Sequence, residues 1–170
     1  KRVEGLRIYI NEDGKLRERS KALSIEPRRD IAVLVEDLTG DGRLDIAQLN
    51  RSKLSISKGT AKGFKLIYQA AVPFAVDMAA GDVNGDGALD IYVVAGNSRG
   101  NEQDYLLLNE GRGRKFQSVR IPQARDGSGS DVMALDYDQN GLTDFVVLNG
   151  NAGFQGTTQL LASFSSTTDD

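Results

Sequence analysis

The chain has 170 residues, 39% apolar and 26% charged, with a formal charge of −3. That is the composition of one globular domain with a real core, not of a disordered tail. It contains neither cysteine nor histidine, which excludes disulfides, thiolate zinc sites, thiol nucleophiles and histidine-based general-base catalysis, and weighs against a hydrolase centre.

The chain opens at Lys1 without a methionine, and is expected to be a piece of a longer or processed protein. No apolar run approaches the roughly 20 residues of a membrane-spanning helix, and the start lacks the layout of a signal peptide. The first predicted element is a hairpin: "LRIYINEDGKLRERSKALSIEP" reads as two strands joined by a glycine-containing turn, a half unit over residues 5–27. Next, "IAVLV" leads into the acidic loop "DLTGDGRLD", Asp37 to Asp45, and the β-rich run "DIAQLN" follows. A second hairpin, "KLSISKGTAKGFKLIYQA", completes a full unit over 30–72. The layout recurs over 75–123 as "AVDMAA", the loop "DVNGDGALD" at Asp82 to Asp90, "DIYVVAG" and the hairpin "YLLLNEGRGRKFQSVRIP". A partial unit over 130–164 repeats it with "DVMAL", the loop "DYDQNGLTD" at Asp136 to Asp144, and "DFVVLNG". The polar residues 165–170 read as a frayed tail.

The three loops begin 45 and 54 residues apart, which fits one four-stranded propeller blade per repeat. The runs after the loops are apolar on consecutive positions (Ile91 to Val94, Phe145 to Leu148), as expected of strands covered on both faces. Pro27, Pro73 and Pro122 each fall just after a hairpin, where a missing N–H costs no ladder bond. No stretch has convincing helical periodicity. The expected fold is therefore all-β: about three and a half blade units over 5–164.

The loops carry the chemistry. Calcium takes hard oxygen ligands from carboxylates, amides and backbone carbonyls, and a tight loop offers them from positions 1, 3, 5, 7 and 9 if a glycine at 6 permits the turn. The middle loop fits in full, with Asp82, Asn84, Asp86, the Ala88 carbonyl and Asp90 around Gly87. The third offers Asp136, Asp138, Asn140, the Leu142 carbonyl and Asp144 around Gly141. The first offers Asp37, Thr39, Asp41, the Arg43 carbonyl and Asp45 around Gly42, and with a neutral threonine at position 3 it is the expected weakest site. Up to three Ca2+ ions are thus expected, which would carry the net charge to about +3. An EF-hand loop needs an acidic residue at position 12 and a following helix, but Gln48, Val93 and Val147 stand there. The nonapeptide calcium turns of β-helices need a glycine pattern that is absent. The competing reading is a set of Asp/Gly-rich turns whose side chains cap only their own backbone. Nine carboxylates in register argue against it, because unneutralised like charges repel.

"AAGDVNGDGALDIYVV", Ala79 to Val94, and "LLLNEGRGRKF", Leu106 to Phe116, resemble the FG-GAP/VCBS repeats of integrin α-subunit propellers and many secreted bacterial proteins. The likeness covers residues 5–163. It implies a calcium-braced β-propeller, usually seven-bladed, in an extracellular or cell-surface protein used for adhesion or recognition. Three and a half units cannot close such a ring, so the segment is expected to be part of a larger propeller or to be completed by another chain. The expected role is non-catalytic, with a protein or glycan ligand engaged by loops such as 96–104 and 123–131. Two alternatives stand beside it: a non-catalytic part of an extracellular glycan-degrading enzyme, and a structural subunit of a surface filament or oligomer that self-associates through open propeller edges.

Other signals are weaker. The basic run Arg17, Arg19, Lys21, Arg28 and Arg29 is interleaved with Glu18, Glu26 and Asp30, and reads as a solvated edge rather than a polyanion patch, so no nucleic-acid partner is expected. Asn50-Arg51-Ser52 is a formal glycosylation sequon, and Arg99-Gly100-Asn101 is not an RGD motif.

Overall fold

The computed structural model describes residues 5–25, 28–96, 102–119, 121 and 128–150, with the backbone of 158–161. Pro27, Pro122, the tail 165–170 and the loop stretches 97–101 and 123–127 lie outside the described residues. Among the described residues the chain forms strands and no helix.

The opening hairpin pairs β1 (Tyr9–Glu12) with β2 (Lys15–Glu18). Asp13 and Gly14 close it, both at positive φ (53° and 80°), the two-residue turn that matches strand twist. The first full sheet is the antiparallel meander β3 (Ala32–Glu36), β4 (Asp45–Asn50), β5 (Lys53–Thr60) and β6 (Gly63–Ala71). The second repeats it with β7 (Ala75–Gly81), β8 (Asp90–Ala95), β9 (Tyr105–Asn109) and β10 (Phe116–Val119). The third has β11 (Gly129–Leu135), β12 (Asp144–Asn149) and β13 (Thr158–Leu161). These are open propeller blades, each an up-and-down sheet whose first turn is one of the acidic loops.

The continuous apolar runs have a direct structural cause. Every residue of β8 is buried, and its side chains alternate between two cores. Ile91 and Val93 join Ala47, Leu49, Leu54 and Ile56 of the first blade, while Tyr92 and Val94 join Val132, Phe145 and Val147 of the third. The Tyr92 and Phe145 rings sit 4.9 Å apart across the second of these interfaces. Burying these side chains, at about 1.5–3 kcal/mol each, is what holds neighbouring blades face to face. Close approach is also required: a Cβ on Gly81 would come within 2.2 Å of the Thr143 side chain, so β7 can approach the third acidic loop only without one.

The basic run is partly neutralised. Arg17 and Arg19 both pair with Glu12, at 3.0 and 2.6 Å. Arg28 donates to Ser55 Oγ. The sequon asparagine turns inward on its own hairpin, with Asn50 Oδ1 accepting from the Ser52 and Lys53 N–H groups.

Candidate metal site

All three acidic loops lie at one end of the blades, as the turns β3–β4, β7–β8 and β11–β12. Each has two left-handed residues, at positions 4 and 6: Gly40 and Gly42 (φ 65° and 81°), Gly85 and Gly87 (73° and 82°), Gln139 and Gly141 (61° and 86°). The position 4 requirement is visible in the sequence only as the glycine shared by the first two loops.

Position 1 organises the turn. Asp37, Asp82 and Asp136 each spread their two oxygens over the backbone N–H groups at positions 5 and 6, with Gly42, Gly87 and Gly141 donating at 2.6, 2.8 and 3.0 Å. Position 5 repeats the device on a smaller scale, since Asp41, Asp86 and Asn140 accept from the N–H of Arg43, Ala88 and Leu142. A carboxylate oxygen has lone pairs to spare after such a bond, so capping the backbone and binding a cation are compatible.

Position 9 ties the loop into the sheet. Asp45, Asp90 and Asp144 are fully buried. Asp45 accepts from Thr39 N and from Gly59 N on β5, and Asp90 from Val83 N and from Asn109 N at the end of β9, while Asp144 accepts from Tyr137 N. Burial raises the Asp90 carboxyl above its ordinary range against these two hydrogen bonds, and the nearby charges of Asp86 and Asp82 add to the rise. A cation beside it would oppose that rise.

The loops differ in how their carboxylates gather. Among the described residues, Asp136, Asp138 and Asp144 form a trio with one carboxylate oxygen from each within 4.8 Å of the others. Three hard oxygens of like charge this close are a donor set suited to a divalent cation such as calcium. In the middle loop Asn84 donates to Asp86 Oδ2 at 3.0 Å, while Asp82 caps the Gly85 N–H as well as those at positions 5 and 6. In the first loop Lys58, reaching from β5, places Nζ 2.7 Å from Asp41 Oδ2 and holds that carboxyl below the usual range. Thr39 is buried rather than exposed, because Gly113 of the second blade comes against it. Its hydroxyl is a buried oxygen with no hydrogen-bond partner among the described residues.

The loops also touch across blades. Thr143 N donates to the Asp82 carbonyl at 2.8 Å, and Asn109 Nδ2 donates to the Leu38 carbonyl of the first loop at 2.9 Å. Neither link has a signal in the sequence beyond the repeat itself.

An FG-GAP-like repeat profile matches the chain twice, over residues 37–93 and 82–147. The chain belongs to this repeat family. No curated protein matches it. Among solved structures it is similar to a chain of the Photorhabdus luminescens Tc holotoxin pore, at 17% identity and a TM-score of 0.49, covering 89% of this chain and 8% of that one.

Proposed function

We propose that this chain is a calcium-braced β-propeller segment of an extracellular or cell-surface protein, non-catalytic, whose blade-end loops engage a protein or glycan ligand. The observation that carries the reading is the Asp136, Asp138 and Asp144 trio, set in a loop that recurs in register in all three blades. Asp136, Asp138, Asn140, Asp144 and the Leu142 carbonyl would hold the ion of the third loop; Asp82, Asn84, Asp86, Asp90 and the Ala88 carbonyl that of the second. In the first, Asp37, Thr39, Asp45 and the Arg43 carbonyl would share Asp41 with Lys58. The ion supplies positive charge where carboxylates converge. The chain supplies a turn already shaped by its own N–H groups.

Extracellular modules hold calcium with Kd of about 10⁻⁴ to 10⁻³ M. Sites of that affinity fill outside the cell and stay empty at cytosolic calcium, as the extracellular reading requires. No helix among the described residues is long and apolar enough to cross a membrane. The buried Tyr92–Asp104 pair braces the second blade. Tyr92 donates to Asp104 Oδ2 at 2.7 Å, and Asp104 Oδ1 accepts from Ala95 N at 2.7 Å. Burial raises both groups above their ordinary ranges.

The test is the metal content of the full chain after dialysis against millimolar calcium, beside Asp138→Ala. Bound calcium in the parent chain, with at least one ion fewer in the variant, supports the reading. A parent chain that retains none overturns it.

A further inference from the structure

Asn109 stands between two of the acidic loops and holds both. Its backbone N–H donates to Asp90 Oδ1 at 2.8 Å, fixing the position 9 carboxylate of the second loop. Its buried side chain donates to the carbonyl of Leu89 in that loop, at 3.1 Å, and to the carbonyl of Leu38 in the first, at 2.9 Å. Its amide oxygen accepts from Gly113 N at 2.8 Å. This seats the β9–β10 turn so closely that a Cβ on Gly113 would lie 3.1 Å from the Thr39 methyl and 3.2 Å from the Leu38 carbonyl oxygen. Leu38 in turn lies between Asp37 and Thr39, the position 1 and position 3 residues of the first loop. In the first blade the equivalent N–H belongs to Gly59, which donates to Asp45 Oδ1 at 2.8 Å and has no side chain to reach further.

The second and third loops are joined by a different contact. Thr143 N, at position 8 of the third loop, donates at 2.8 Å to the carbonyl of Asp82, position 1 of the second. Leu142, whose carbonyl is the position 7 oxygen, has its Cδ2 3.1 Å from where a Cβ on Gly85 would stand. Residues offering oxygens in one loop are thus bonded to, or packed against, the backbone of the next.

We propose that the loops bind calcium cooperatively, with the second loop as the hub and Asn109 as the positioning residue that couples it to the first. The inference rests on the calcium reading and adds to it a coupling between sites. Its physical basis is ordering. Glycine loses more conformational freedom on being fixed than any other residue, and the first and second loops each hold two glycines at positive φ. An ion that fixes Asp82 and Asp90 also fixes Thr143 through the Asp82 carbonyl, and Leu38 and Gly113 through Asn109. The next ion then meets a loop already partly ordered and binds more tightly. The coupling is reciprocal, so an ion in either outer loop tightens the second by the same factor.

The experiment is a calcium titration of the full chain, followed by NMR at the Gly42, Gly87 and Gly141 amides, each hydrogen-bonded to the position 1 carboxylate of its own loop. It compares the parent chain with Asp86→Ala, Asn109→Ala and the double variant. Asp86→Ala removes an exposed ligand from the second loop alone, and is expected to move the Gly42 and Gly141 midpoints to about fivefold higher calcium. Asn109→Ala keeps every ligand, and is expected to move the Gly42 midpoint far more than that of Gly141. In the double variant the Gly42 midpoint is expected to move no further than in Asp86→Ala, since both changes cut the same link. A merely structural role for Asn109 would lower the melting temperature and leave the Gly42 midpoint in place, which overturns its part in the coupling. Gly42 and Gly141 midpoints unmoved in Asp86→Ala overturn the inference and leave the calcium reading standing. Amides that do not respond to calcium in the parent chain overturn both.

Discussion

At Lys58 the first acidic loop already has a positive charge, 2.7 Å from Asp41. Lys58→Met keeps the apolar stem and removes the ammonium. Without calcium this variant is expected to melt below the parent chain, and on calcium titration to gain more than the parent does. Equal gains would mean that Lys58 does not compete with an ion in the first loop. The left-handed position 4 gives a second residue-scale prediction. Nothing lies within 4 Å of a Cβ built on Gly40, whose φ is 65°, so Gly40→Ala tests backbone conformation alone. It is expected to cost about 1 kcal/mol, a fall of about 2–4 °C in Tm; an unchanged Tm would place the turn's stability elsewhere.

At the scale of the element, each acidic loop is stable because its sheet holds it. Asn109 shows how: its side chain donates to the carbonyls of Leu38 and Leu89 and accepts from Gly113 N, all around a buried position. Asn109→Ala would strand two acceptors and a donor, at about 1–3 kcal/mol for a buried group left unsatisfied, and is expected to shift the urea midpoint down by several tenths of molar. A midpoint within error of the parent would show that the hairpin and the first loop are not energetically joined. The alternation of acidic residues and glycines made the loops legible in the sequence, and the doubled apolar runs made the inner strands legible. Lys58 and Asn109 were not, because each acts through a contact that only sheet register or blade stacking creates. Thr39 is a middle case. Its residue type suggested a neutral ligand, but its burial comes from Gly113, 74 residues further along the chain.

For the whole molecule, the joint between the second and third blades is expected to depend on pH through Asp77. Burial raises its carboxyl, and hydrogen bonding to Asp131 of the neighbouring blade raises it further. A carboxyl raised on folding favours the protonated form, so its contribution to stability is complete below the ordinary carboxylate range, about 3.9. That contribution is lost as pH rises through the raised value. Asp77→Asn, which keeps a donor toward Asp131 and cannot ionise, is expected to melt above the parent chain at neutral pH, with the difference closing as the solution is acidified. A difference independent of pH would assign the effect to packing instead.

The acidic loops are the feature that recurs in every blade, and their dependence on a cation is tested most directly by melting the full chain in EDTA and in millimolar calcium, beside Asp138→Ala. At calcium ten times Kd, each filled site adds about 1.4 kcal/mol, or about 3–6 °C in Tm. The parent chain is expected to rise by at least that amount, and the variant by less. Identical melting of both proteins in EDTA and in calcium would contradict the account and return the loops to self-capped turns.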